Sequence, residues 1–283
     1  MKQDFLKFGN IEIDFPIASI GYFSIFGDLT DIFGVEYQSE AVSLLKQELQ
    51  KCEDLKPKPN IDYEADNTHI DSRSADTIFK VAEIINNLAV GKFQIHLSTN
   101  EKQEIYKQLK AWKRPPKQKW KIGDVFSIPL LDKTFSFGQV VGTHLTAKCP
   151  ILALFEIKQE KNEVTVEQLM EAKIISVWNA DDDNLANYKF KVLFNEDIIV
   201  SPNKVKDKGR SGGAQMDELA NAYFGLVPYN VMYKDNYYDE YFQPNIERPK
   251  NILWLDKEAR NKYRLEHFGI NETNEFVRKK PNA

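Results

Sequence analysis

Four histidines, His69, His96, His144 and His267, are where a hydrolase or zinc site would first show itself. None stands at HxH, HExxH or HxxE spacing, the local pairs that usually deliver ligands to a tetrahedral metal. Structural or surface histidine is the favoured reading. Cys52 and Cys149 lie far apart in sequence and cannot build a multi-bridge framework or a four-ligand zinc site. Cys149 precedes Pro150 with no evident activating partner, so it reads as a buried bystander. These residues alone reveal no reaction, no metal and no cofactor; the expectation is a protein that is not an enzyme, with an unrecognised catalytic site as a further alternative.

Four other constellations could act. Glycines in Lys208-Gly209-Arg210-Ser211-Gly212-Gly213 could let backbone amides cradle a phosphate ahead of a helix. The spacing fits neither phosphate-binding glycine motif, so a flexible connecting loop is favoured. Asp181-Asp182-Asp183-Asn184 concentrates carboxylates but lacks the alternate register, glycine and distant Glu of a calcium loop. A polar turn explains it with less machinery, and it could still meet a basic partner. Residues 107–121 hold seven basic and no acidic side chains, with Trp112 and Trp120 inside the stretch. Cations and aromatic faces together suit single-stranded nucleic acid, whereas a helix end with a linker is the plainer reading. Finally Tyr229, Tyr233, Tyr237, Tyr238, Tyr241 and Phe242 crowd around Asp235, Asp239 and Glu240. Tyrosine is favoured at interfaces because it offers large contact area at low rotamer cost. Packing at a domain edge accounts for the cluster equally well.

The elements that must position these groups follow from patterning. The 283 residues fit two ordinary domains, and 42% apolar content is enough for a real core. Charge is uneven: residues 1–106 carry 10 basic and 18 acidic side chains, against a net of −4 for the whole chain. With the basic stretch and Pro115-Pro116, this places an α+β domain at 1–112, a basic linker at 113–121, a β-rich domain at 122–270 and a flexible tail at 271–283. No apolar run approaches the roughly 18 residues that span a bilayer, and Met1 to Phe5 lacks a signal peptide's apolar core. A cytoplasmic location and no membrane contact are expected.

In the first domain, Ile11–Phe15 alternates as a half-buried strand. Ser39 caps a helix to Cys52 with Ala41, Leu44, Leu45 and Leu49 on one face. Ile61–Glu64 pairs with a strand near His69 across a turn, and a helix from Ser74 runs to a stop at Gly91. Phe93, Ile95 and Leu97 form a strand, then Ser98 or Thr99 caps a helix through Leu109. In the second domain, Val125–Ile128 and Phe135–Val141 form a hairpin, and Ile151–Ile157 is a strand covered on both faces. A short helix at Val166–Ala172, strands at Ile174–Trp178 and Tyr188–Phe194, a helix at Ala214–Phe224 and a final helix carrying Leu253, Leu255, Ala259, Tyr263 and His267 to a stop at Gly269 complete it. The fold class expected is α+β: a small α+β domain, then a bent sheet or open barrel with helical insertions.

Trp120-Lys121-Ile122-Gly123-Asp124-Val125-Phe126-Ser127-Ile128-Pro129-Leu130, followed by Phe135-Ser136-Phe137-Gly138-Gln139-Val140-Val141, resembles the opening of the immunity protein 26 family. Gly123-Asp124 turns into the first strand, Pro129 ends it, and Gly138 permits a bend or bulge. The resemblance covers about residues 118–245. It implies a bacterial polymorphic-toxin immunity protein that binds and neutralises a cognate toxin, with no catalytic residues to carry across. The first 112 residues are assigned to no family, and a second immunity-like or adaptor domain is one reading of them.

An acidic first domain suits a basic target, because matched potentials speed association. The expected partner-binding residues are Asp62, Glu64 and Asp66, continuing to Asp71 and Asp76; Asp181, Asp182 and Asp183; and Tyr237, Tyr238, Asp239, Glu240 and Tyr241. The alternative is a nucleic-acid-binding protein using the basic linker and barrel face; the acidic flanks disfavour it. Oligomeric state is left open.

Overall fold

Alternating apolar and polar residues build the first sheet, because successive strand side chains point to opposite faces. In the computed structural model, which describes residues 5–197, 199, 210, 211, 214–232 and 234–270, the chain forms two units, Met1–Pro116 and Lys117–Ala283. The first unit pairs β1 (Phe5–Phe8), β2 (Ile11–Asp14), β3 (Phe23–Gly27), β4 (Asn60–Tyr63) and β5 (Thr68–Ser72) in the order β1-β2-β3-β5-β4, all antiparallel. Phe8, Ile11, Ile13, Phe23, Ile25 and Ile70 are buried on one face. They pack with α1 (Leu29–Phe33), α2 (Gln38–Gln50), α3 (Ala75–Leu88) and α4 (Thr99–Ala111) into one core.

Helix starts here follow local capping chemistry. Ser74 accepts from the Thr77 amide at the start of α3, and Ser98 exchanges bonds with Glu101 at α4. Several expectations need correction. Tyr37, not Ser39, precedes α2, because Glu40 reaches back to the Glu36 and Tyr37 amides. Val42 joins Ala41 and Leu45 in the core, while Leu44 is exposed. Helix α3 ends at Ala89 in extended geometry; Gly91, at φ +54°, opens a 3-10 turn over Gly91–Phe93 instead. That turn and an unpaired extended segment replace the strand expected at Phe93–Leu97.

The second unit holds β6 (Asp124–Pro129), β7 (Phe135–Thr143), β8 (Pro150–Phe155), β9 (Ile174–Ala180), β10 (Lys191–Asn195) and β11 (Arg210–Ser211). Their order is β10-β6-β7-β8-β9-β11, antiparallel except for the last pair. Register shifts at Val192/Phe194, Val140/Gly142 and Leu154/Phe155 bend the sheet, and its two edge strands stay apart, so it is unclosed. Both faces are covered, which is why β6 to β9 read as near-continuous apolar runs. Phe126, Ile128, Leu152 and Trp178 pack with α7 (Ala214–Tyr223) and with Tyr229, Tyr237, Tyr238 and Phe242. Val125, Phe137 and Phe155 pack against Leu169 of α5 (Val166–Glu171) on the other side. One-turn α6 (Asp183–Ala186) and α8 (Lys257–Phe268), which ends at Gly269 with φ +67°, complete an α+β protein. The tail expected at 271–283 lies outside the described residues.

Two local arrangements generate measurable expectations. Gly123 sits at φ +93°, and a Cβ there would stand 2.3 Å from the Glu196 carbonyl oxygen. Gly123→Ala therefore costs about 2–4 kcal/mol in urea unfolding, from left-handed strain plus a backbone clash. A loss below about 1 kcal/mol would contradict this assignment. In the β6–β7 turn, Asp132 meets Lys158 Nζ at 2.8 Å and accepts from the Thr134 hydroxyl and amide. Lys158 first, then Thr134, holds its carboxyl down from 3.8 to about 2. A depressed carboxylate stabilises fully above its unfolded value and loses that contribution as pH falls through its folded value. Denaturation of wild type and Asp132→Asn should thus differ at pH 7, with the gap closing between pH 3.8 and about 2.

Candidate functional site

The strands of the first unit show their second face to solvent. Lys7 of β1, Glu12 and Asp14 of β2, Ser24 and Phe26 of β3, Asp62 of β4 and His69 and Asp71 of β5 occupy the positions alternate to the core residues. Cross-strand register sets Asp14 beside Ser24, Ser24 beside Asp71 and Asp71 beside Asn60. The neighbouring row sets Phe26 beside His69 and His69 beside Asp62. Phe26 is 63% exposed, an unusual place for a phenyl ring on a polar face. His69 lies between Tyr22 and Phe26, with ring centroids 6.2 and 6.4 Å away. Partial desolvation pushes the Asp14 carboxyl up, Ser24 draws it down, Glu12 adds to the rise and His69 opposes it. The face is an acidic surface around an aromatic centre.

This arrangement redistributes the expected acidic residues. Asp62 and Asp71 share the face, Asp71 accepting from Asn60 Nδ2 at 3.0 Å. Exposed Glu64 and Asp66 sit in the β4–β5 turn, where Asp66 accepts from Asn67 Nδ2 at 2.9 Å. Asp76 does not join them: it sits in the first turn of α3, bound by Tyr106 and by Lys110 at 3.0 Å, and those contacts hold its carboxyl down. Glu12, Asp14 and Phe26 were not singled out from sequence. The alternation at 12/14 and 24/26 was the available signal, but β3 was not recognised as a strand.

In the second unit, Asp181, Asp182 and Asp183 lead into α6, where the Asp182 and Asp183 carbonyls accept from the Ala186 and Asn187 amides. Asp183 is exposed and the other two half-buried. No group of metal-binding side chains occurs among the described residues. The tyrosine cluster resolves toward packing. Tyr237, Tyr238, Tyr229 and Phe242 are buried in the core under the sheet, so Tyr237 and Tyr238 are corrected from open contact residues to core residues. Tyr237 and Tyr238 meet edge-on at 5.3 Å, and the Tyr237 and Tyr241 hydroxyls lie 3.0 Å apart. Asp239 is engaged internally: Tyr229 donates to it at 2.6 Å, and Arg248 pairs with it while stacked between the Tyr229 and Trp254 rings. Burial first, then Asp239, raises the Tyr229 hydroxyl pKa. Glu240 is exposed and pairs with Lys234; Tyr233 lies outside the described residues.

The nucleic-acid recipe loses its aromatic half. Trp112 stacks on Phe15 at 4.1 Å and donates to the Pro16 carbonyl, and Trp120 packs against the second unit's core. Arg114 donates to the Ile17 and Ala18 carbonyls. Of the glycine loop, Arg210 and Ser211 form β11, and 208, 209, 212 and 213 lie outside the described residues. Gly209-Arg210-Ser211-Gly212-Gly213 also spells Gly-x-Ser-x-Gly ahead of α7, the spacing of a nucleophile elbow. With its glycines outside the described residues, that spacing carries no catalytic assignment.

The motif residues of the second unit are structural. Asp124 is buried, accepting from the Lys121 amide at 2.8 Å and Asn195 Nδ2 at 2.9 Å. Gln139, wholly buried, donates to the Gly123 and Asp197 carbonyls and accepts from the Ile199 amide. Gly138 makes room for the Phe126 ring, 2.4 Å from where a Cβ would be; the bulge expected there lies at Val140/Gly142 instead.

Because Tyr238 is core, Tyr238→Ala should lower unfolding free energy by about 3–5 kcal/mol with or without a partner. A loss under about 1 kcal/mol in urea denaturation would return it to the surface. No curated protein and no solved structure matches the chain significantly. The Gly123-Asp124 corner and the strands it starts fall within residues 121–215, which match the family model of immunity protein 26.

Proposed function

We propose that this protein is an immunity protein that binds a cognate bacterial toxin in the cytoplasm and neutralises it by covering its active face, converting nothing itself. The observation that carries the reading is the immunity protein 26 match over residues 121–215. The acidic open face of the first unit supports it. Asp62, Asp71, Glu12 and Asp14 surround Phe26 and His69 on a sheet surface that no core element needs. Carboxylates of one sign raise the encounter rate with a cationic target, and an exposed aromatic gives the short-range contact that holds it. Glu64, Asp66, Asp183 and Glu240, also exposed, extend the proposed contact set. Among the described residues no helix is long and apolar enough to cross a membrane.

The direct test is co-expression with the toxin encoded beside this chain. The expected outcome is growth rescue and a complex that survives gel filtration. Full toxicity with no complex would overturn the proposal. Asp62→Lys combined with Asp71→Lys should slow association at least about tenfold at low salt, with the difference shrinking above the ionic strength that screens roughly 10 Å. Asp62 is exposed and Asp71 half-buried with one hydrogen bond from Asn60, so folding stability should move by no more than about 1 kcal/mol per site.

A further inference from the structure

Helix α8 carries Arg260 and Arg264 one turn apart, so both guanidinium groups lie on the same side of the helix. Arg264 is 4% exposed. Its Nε is sealed from solvent without an acceptor, and among the described residues no carboxylate pairs with it. The Arg260 Nε is likewise buried and unsatisfied, although its Nη1 pairs with Asp235. The helix's other ion pair, Lys262 with Glu266, follows a different row of positions. Among the described residues, Asp235 pairs with Arg260 and no carboxylate pairs with Arg264. Burial, and then the charge of Arg260, lowers the Arg264 pKa, as an unpaired buried cation requires. A folded protein rarely leaves such a group unpaired, because removing a charge from water is repaid only by a partner that supplies both charge and acceptors.

We propose that Arg264, together with Arg260, forms a receptor for one oxyanion, a carboxylate or phosphate group whose two oxygens match the guanidinium fork. The geometry of two N–H donors on one planar group favours such a ligand over chloride, which offers a single centre. This site is independent of the acidic face and of the toxin-binding proposal; it concerns an anion, and it lies in the second unit.

Thermal unfolding of the full chain in potassium chloride, potassium phosphate and potassium acetate at equal ionic strength tests it. At least one oxyanion should raise the wild-type midpoint above its chloride value, by about 3–6 °C for each tenfold rise in concentration beyond Kd. Response to phosphate alone identifies a phosphoryl ligand, and response to acetate as well identifies a carboxylate. Arg264→Met should lose that increment while melting in chloride at or above the wild-type temperature, because a buried charge is gone. Equal wild-type midpoints in all three salts would overturn the proposal. So would an increment retained by Arg264→Met, which marks a general salting effect or an adventitious ion only. If the methionine variant does not fold, line broadening of whichever oxyanion raised the midpoint, phosphate in the phosphorus NMR spectrum or acetate in the proton spectrum, is read on wild type and Arg260→Gln. Broadening must occur with wild type and weaken in the variant, and its absence with wild type counts against the site.

Discussion

At Gly123 a left-handed backbone, a carbonyl arriving from the edge of the sheet and a buried carboxylate meet in a space that admits no side chain. The corner donates its amide to the Val140 carbonyl and accepts from the Glu196 amide, so β6 enters the sheet already tied to β7 and to the residues after β10. Asp124 and Gln139 satisfy the polar groups that this junction buries. Remove their partners and the unit would hold orphaned amides and an uncompensated carboxylate between two apolar layers, a cost that packing nearby cannot offset. The hairpin, the edge pairing of β10 and the segregation of two cores across the sheet all depend on that junction.

Much of this was legible in the sequence, for reasons that can be named. Alternation exposed β2 and β4, the turn after β4 pointed to β5, a continuous apolar run exposed β8, and the Ser98 capping position marked the start of α4. What escaped was decided by distant neighbours. Strand β1 is only four residues long and takes its identity from pairing with β2. Phe93, Ile95 and Leu97 alternate as a strand does, yet no sheet edge receives them. The tyrosines around Asp239 looked equally suited to an interface or a core, because composition cannot say which side of a chain faces inward. Three-dimensional packing decided for the core at Tyr237 and Tyr238.

The candidate contact surface was half legible. Asp62 and Asp71 could be found as charges, but their company could not, since Glu12, Asp14 and Phe26 come from strands distant in sequence. The assembled face differs in character from a run of acids. It is a flat, backbone-paired platform on which each charge has a fixed place in a cross-strand row. Asp76, by contrast, belongs to the α3–α4 pair, whose Tyr106 and Lys110 hold it.

The one-sided cover of the first sheet has an evolutionary consequence. Along every strand, the residues that keep the fold and those that meet the outside world take strictly alternate turns, so selection can act on one set without disturbing the other. Positions 12, 14, 26, 62, 69 and 71 can change while the helices keep the same seat beneath the sheet. A two-sided sheet, such as that of the second unit, grants no such independence; there, novelty must come from the loops.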